Sequence, residues 1–92
     1  MSVVRVPPVL REEAGGAREV EANGATVREL LEDLSARLPA LGERVYDGTE
    51  IRSYVNVYVD GEDVRTRGGL DAPVRDGATV VLLPAMAGGN GR

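Results

Sequence analysis

The sequence predicts a two-layer α+β domain in which one amphipathic helix lies across a sheet of four or five strands. Three observations carry this expectation. Apolar residues recur with helical spacing over 27–38. Tyr54-Val55-Asn56-Val57-Tyr58-Val59 alternates strictly, as a half-buried strand does. The remaining β-branched runs are punctuated by Gly-Gly, Asn-Gly, Asp-Gly and Pro steps. At 92 residues there is room for one core, and 42% hydrophobic with 28% charged residues excludes both a disordered tail and a coiled-coil rod.

Taken in order, Val3-Val4-Arg5-Val6 opens a first strand, expected over residues 2–10 with Pro7-Pro8 at its end or edge. Gly15-Gly16 turns the chain, and Arg18-Glu19-Val20-Glu21 returns as a half-exposed second strand, making an N-terminal hairpin. After Asn23-Gly24 the period changes. Val27, Leu30, Leu31, Leu34 and Leu38 share one helical face, while Arg28, Glu29, Glu32, Asp33 and Arg37 take the other. Thr26 stands at the N-cap with Glu29 placed for a capping box, and Pro39 stops the helix. Residues 40–52 suggest a short helical turn and an irregular connection. The alternating strand at 54–59 follows, then an Asp60-Gly61 hairpin turn and a short fourth strand, Glu62-Asp63-Val64-Arg65. A loop anchored by Leu70 and Val74 leads to a last strand, Thr79-Val80-Val81-Leu82-Leu83, closed by Pro84. The core candidates are Val4, Val6, Val20, Val27, Leu30, Leu31, Leu34, Leu38, Val55, Val57, Leu70, Val80 and Leu82. All three aromatic residues are tyrosines, so aliphatic side chains must fill the interior.

Composition closes most catalytic routes. There is no cysteine and no histidine, so a thiolate nucleophile, an iron–sulfur cluster, a zinc finger and the commonest proton shuttle are all unavailable. Every basic residue is arginine, which removes a Schiff-base or phosphate-loop lysine. No metal site and no cofactor is expected. The net charge of −4 is the wrong sign for neutralising phosphates, so nucleic acid is an unfavourable partner. No apolar run approaches the ~18 residues of a membrane span, and the N-terminus lacks a signal-peptide pattern, which points to a cytoplasmic protein. The carboxylates on the exposed helix face lack a pocket and are expected to be a solvated surface.

Beyond Pro84 the chain reads Ala85-Met86-Ala87-Gly88-Gly89-Asn90-Gly91-Arg92. Almost without branched side chains, it is expected to leave the globule as a flexible tail over 85–92, with residues 1–84 forming the domain. Residues 85–89 could extend roughly 16 Å, enough to thread a narrow cleft. From Val3 to Gly89 the chain resembles the ubiquitin-like β-grasp sulfur carriers, a group that includes the small subunit of molybdopterin synthase, the thiazole-synthesis carrier and the carrier paired with a cysteine synthase. The resemblance rests on Tyr54 through Arg65, on Gly68-Gly69-Leu70, and on Asp76-Gly77 leading through Val80-Val81-Leu82-Leu83-Pro84-Ala85 to Ala87-Gly88-Gly89. The Val-Asn-Val-Tyr-Val and Leu-Pro-Ala-Met-Ala-Gly-Gly segments look most like the cysteine-synthase carrier of actinobacteria.

The resemblance implies a β-grasp fold with a mixed sheet and a protein that acts as a cosubstrate and does not itself catalyse. A ubiquitin-activating-type (E1-like) enzyme would adenylate the carboxylate of a terminal glycine, and sulfur would replace AMP to give a thiocarboxylate for a biosynthetic acceptor enzyme making cysteine, molybdopterin or a secondary metabolite. Gly89 is the expected reactive residue, with Met86, Ala87 and Gly88 as the threaded segment. Asn90-Gly91-Arg92 departs from the family pattern, because it leaves Gly89 in a peptide bond; trimming by a JAMM-type metalloprotease is expected. If Val55 and Val57 point inward, Tyr54, Asn56 and Tyr58 point outward, and counting back from Gly89 by the family pattern sets Val81 and Leu83 on that face as well. Tyr54, Tyr58, Val81 and Leu83 are therefore the expected docking residues. Two alternatives stand beside this reading: a ubiquitin-like covalent modifier using the same activated glycine, and a plain interaction module whose tail is incidental.

Overall fold

The structure, a computed structural model, describes residues 1–85. Its elements run β1 (Ser2–Arg5), β2 (Glu19–Ala22), α1 (Val27–Arg37), α2 (Pro39–Val45), β3 (Val55–Val59), β4 (Glu62–Asp63) and β5 (Thr79–Pro84). The strands form one five-stranded sheet in the order β2-β1-β5-β3-β4. Neighbouring β1 and β5 are parallel and all other pairs antiparallel, so the sheet is mixed. The N-terminal hairpin, the main helix, the alternating strand and the last strand all lie where their periodicities predict.

The first strand is shorter than expected, and the proline pair is the reason. Val6 makes the last hairpin bond, its N–H donating to the Arg18 carbonyl at 2.8 Å. Pro7 then caps a 3-10 turn, Pro8–Ala14, which starts easily because proline brings a helix-compatible φ and no orphan N–H. That turn carries Leu10 and Ala14 into the core. The fourth strand is likewise cut to Glu62–Asp63. The Asp63 carboxylate accepts the Arg65 N–H at 2.9 Å, curling Val64–Thr66 into a 3-10 turn that buries Val64. Between them, Asp60 (φ 49°) and Gly61 (φ 87°) form the tight hairpin turn predicted from Asp-Gly. Asp60 is also bound to the next crossing strand: its carboxylate accepts the Thr79 N–H at 3.0 Å and pairs with Arg75 at 3.0 Å.

α1 begins as read. Thr26 Oγ1 accepts the Glu29 N–H at 3.2 Å, but the Glu29 carboxylate reaches back to the Ala25 N–H at 2.9 Å, one residue before the cap. Pro39 both stops α1 and opens α2, whose Leu41 and Val45, with the following Tyr46, are buried. One hydrophobic core joins Leu30, Leu31 and Leu34 of α1 to Val4, Val55, Val57, Val80 and Leu82 of the sheet, with Leu10, Leu41, Val45 and Val64 closing its rim. Three expected core residues, Val20, Leu38 and Leu70, are only half-buried against it. Among the described residues, no helix is long and apolar enough to cross a membrane.

Candidate functional site

The helices cover one face of the sheet, and strand alternation decides what the other face offers. Val80 and Leu82 of β5 and Val55 and Val57 of β3 point into the core. Their neighbours must point outward: Val81 and Leu83 on β5, Asn56 and Tyr58 on β3. The antiparallel register sets Tyr58 opposite Val81 and Asn56 opposite Leu83. Tyr54, immediately before β3, is 49% exposed and Leu83 is 42% exposed. By this alternation Tyr58, Val81 and Leu83 lie on the outward face of the two paired strands and, with Tyr54 in the turn just before β3, make up an outer patch that Asn56 interrupts.

The patch lies beside Ala85, the last described residue. The Ala85 N–H donates to the Tyr54 carbonyl at 2.7 Å, so the residue leading to the diglycine is held in line with β3 beyond the last strand residue, Pro84. Met86, Ala87, Gly88 and Gly89, the predicted threaded segment and reactive residue, lie outside the described residues, as does all of the predicted tail but Ala85.

Arg65 borders the patch and was not singled out by the sequence. Because β4 is only two residues long, the outer edge of β3 is left open near Val55, where a carbonyl would lack a strand partner. Arg65 fills that gap, donating through Nη2 to the Val55 carbonyl at 3.0 Å and through Nη1 to Asn56 Oδ1 at 2.6 Å. Its placement depends on the 3-10 turn after Asp63, which β-branched Val64 did not advertise. On the opposite flank Arg5 stands beside Val81 in the parallel pairing and faces Glu19 on β2. Among the described residues, no group of three or more acidic side chains could hold a metal ion. The outward face thus carries Tyr, Val and Leu side chains, with Arg65 and Arg5 at its two flanks.

A model of the ThiS family matches residues 4–89. The chain is 40% identical over 89 residues to the sulfur carrier protein CysO of Mycobacterium tuberculosis H37Rv, spanning 94% of this chain and 96% of that protein. It superposes with a TM-score of 0.87, at 43% identity, on a chain of the crystal structure of the Amycolatopsis orientalis BexX/CysO complex, covering 96% of this chain and 99% of that one. A further similarity is to small archaeal modifier protein 3 of Haloferax volcanii, 34% identical over 65 residues and 71% of each chain. The mixed sheet, the helix on one face and the Tyr-Val-Asn-Val-Tyr-Val strand all occur in a chain that the family model matches to its diglycine, and on these grounds the protein belongs to the ThiS family of ubiquitin-like β-grasp sulfur carriers.

Proposed function

We propose that the protein carries sulfur on the main-chain carboxyl of Gly89 and that its folded body, residues 1–84, presents the segment 85–92 to partner enzymes. The observation that carries this reading is the continuity of the outer patch with the chain exit: Tyr54 holds Ala85 through its carbonyl, and Leu83 and Val81 lead up to it. A partner seated on Tyr54, Tyr58, Val81 and Leu83 would sit beside Ala85, which Met86, Ala87, Gly88 and Gly89 follow in sequence.

The chemistry needs no side chain of this protein. An E1-like enzyme would join the Gly89 carboxylate to the α-phosphate of ATP, releasing pyrophosphate, and a sulfur nucleophile would then displace AMP to leave the thiocarboxylate. Glycine leaves the acyl carbon open to in-line approach. Because Asn90 follows Gly89, hydrolysis of that peptide bond must come first, a task suited to a JAMM-type metalloprotease. Transfer then passes to an acceptor enzyme of cysteine, molybdopterin or secondary-metabolite synthesis; a similar CysO chain solved in complex with BexX supports a docking partner for this protein.

The test compares the full chain with one ending at Gly89, each incubated with an adenylating enzyme, ATP and a sulfur donor. The shortened chain should gain the mass of sulfur in place of oxygen and the full chain should not. Thiocarboxylate on Arg92, or activation of the untrimmed chain, would refute the proposal. The similarity to a small archaeal modifier favours one second reading, an isopeptide to target lysines. Higher-mass conjugates on a cellular blot, dependent on Gly89, would support the modifier over the carrier.

A further inference from the structure

Acidic residues outnumber basic ones in this chain, 15 to 11, yet the arginines are unevenly spread. Arg5, Arg11 and Arg18 line a single groove of about 440 Å³ together with Val6 and Glu19. They come from separate places: the end of β1, the 3-10 turn after it, and the residue before β2. Main-chain pairing holds them together. The Val6 N–H donates to the Arg18 carbonyl at 2.8 Å, and Arg11 Nε donates to the Val6 carbonyl at 3.1 Å.

The charge in the groove is unbalanced. Glu19 is its one carboxylate and stands 3.8 Å from Arg5 Nε, a loose and exposed pair of little strength. Glu13, on the same turn as Arg11, is paired with Arg44 at 3.7 Å. Among the described residues neither Arg11 nor Arg18 has an ion-pair partner. The groove also adjoins the outer patch, since Arg5 lies opposite Val81 and Val81 opposite Tyr58. A protein seated on the patch would reach the groove within one footprint.

We infer that this groove receives an acidic segment, Asp or Glu carboxylates, of the adenylating enzyme that docks on the outer face. The inference rests on the docking reading above. Guanidinium groups match carboxylates in planar, paired hydrogen bonds, and a cationic groove on an anionic protein orients the approach of a complementary partner. Arg11 sets the shape of the groove through its bond to Val6, Arg18 supplies a charge unpaired among the described residues, and Arg5 adds a second guanidinium held only by its loose pair with Glu19.

Two measurements test it. In an NMR titration of the full chain, hexaglutamate peptide should shift the Nε–Hε signals of Arg5 and Arg18, the shifts should fade at high salt, and inorganic phosphate at equal charge should move them less. Equal or larger shifts with phosphate, or none with hexaglutamate, overturn the assignment to a peptide carboxylate. In stopped-flow association with the E1-like enzyme, the double variant Arg5→Glu/Arg18→Glu should lower the on-rate about tenfold at low salt and flatten its salt dependence. Arg18→Glu alone, which breaks no ion pair among the described residues, should give part of the same loss with thermal stability unchanged. An unaltered on-rate and salt slope in both variants, alongside weakened binding by Leu83→Asp, overturns the groove and leaves the docking reading standing. If Leu83→Asp is also without effect, the docking reading itself fails.

Discussion

Leu82 and Leu83 are adjacent and chemically identical, yet their surroundings give them opposite roles. Leu82 is fully buried and Leu83 is 42% exposed, because consecutive side chains of β5 leave by opposite faces. Leu82→Ala removes packed methyl groups from the core and should cost about 2–5 kcal/mol in urea denaturation. Leu83→Asp should hold stability within about 0.5 kcal/mol, as exposed substitutions do, and yet weaken binding to the adenylating enzyme at least tenfold by calorimetry. A Leu83→Asp variant that unfolds, or that binds as before, removes Leu83 from the docking surface. At the other end of the core Thr26 acts through one oxygen, and Thr26→Ala, which frees the Glu29 N–H, should cost about 1 kcal/mol.

Between elements, α2 packs tightly on α1 at Gly42. A Cβ on Gly42 would lie 2.3 Å from Ser35 Oγ and 2.4 Å from Ser35 Cα. Propensity alone favours Gly42→Ala by about 1 kcal/mol in a helix interior. The clash should reverse that sign, and we expect net destabilisation of about 1–3 kcal/mol by thermal unfolding. Adding Ser35→Gly removes the hydroxyl but leaves the Cα, so the double variant should recover only part of the loss. Full recovery would mean that the helices are separable without cost. The same pair of elements shows what local patterns hide. The α1 stripe repeats at helical spacing and was legible as a core face. Leu41, Val45 and Tyr46 are too few and too close to glycines to display a period, and only the folding of α2 back onto α1 buries them.

At the scale of the whole molecule, surface carboxylates act as local staples. Asp33 has its pKa lowered, chiefly by the hydrogen bond from the Asn23 N–H at 2.7 Å and then by Arg37. Asp47 is lowered by the N–H groups of Glu50 and Thr49, each at 2.7 Å. Both folded values lie below the ordinary 3.8, so the unfolded chain binds protons first as pH falls. The stability these groups contribute is complete above that value and is lost as pH drops through the folded pKa. The thermal midpoint should therefore hold between pH 7 and about 5 and fall below pH 4. Asp33→Asn/Asp47→Asn should be less stable at pH 7 and show a shallower acid decline; an equally steep decline would assign the acid sensitivity to other groups.

The sequence by itself determined the α+β class, α1 and its cap, the alternation of β3 and the Asp-Gly hairpin turn. Each depends on a repeat or turn chemistry within a few residues, so short-range sterics and hydrogen bonding suffice. Tertiary structure alone decided that Pro7-Pro8 opens a 3-10 turn that carries Leu10 and Ala14 into the core where a longer strand was expected, that β4 stops after two residues, that Arg65 seals the open edge of β3, and that Arg5, Arg11 and Arg18 converge. Those outcomes hang on partners distant in the chain or on an unfilled backbone group, and such demands exist only once the sheet has assembled.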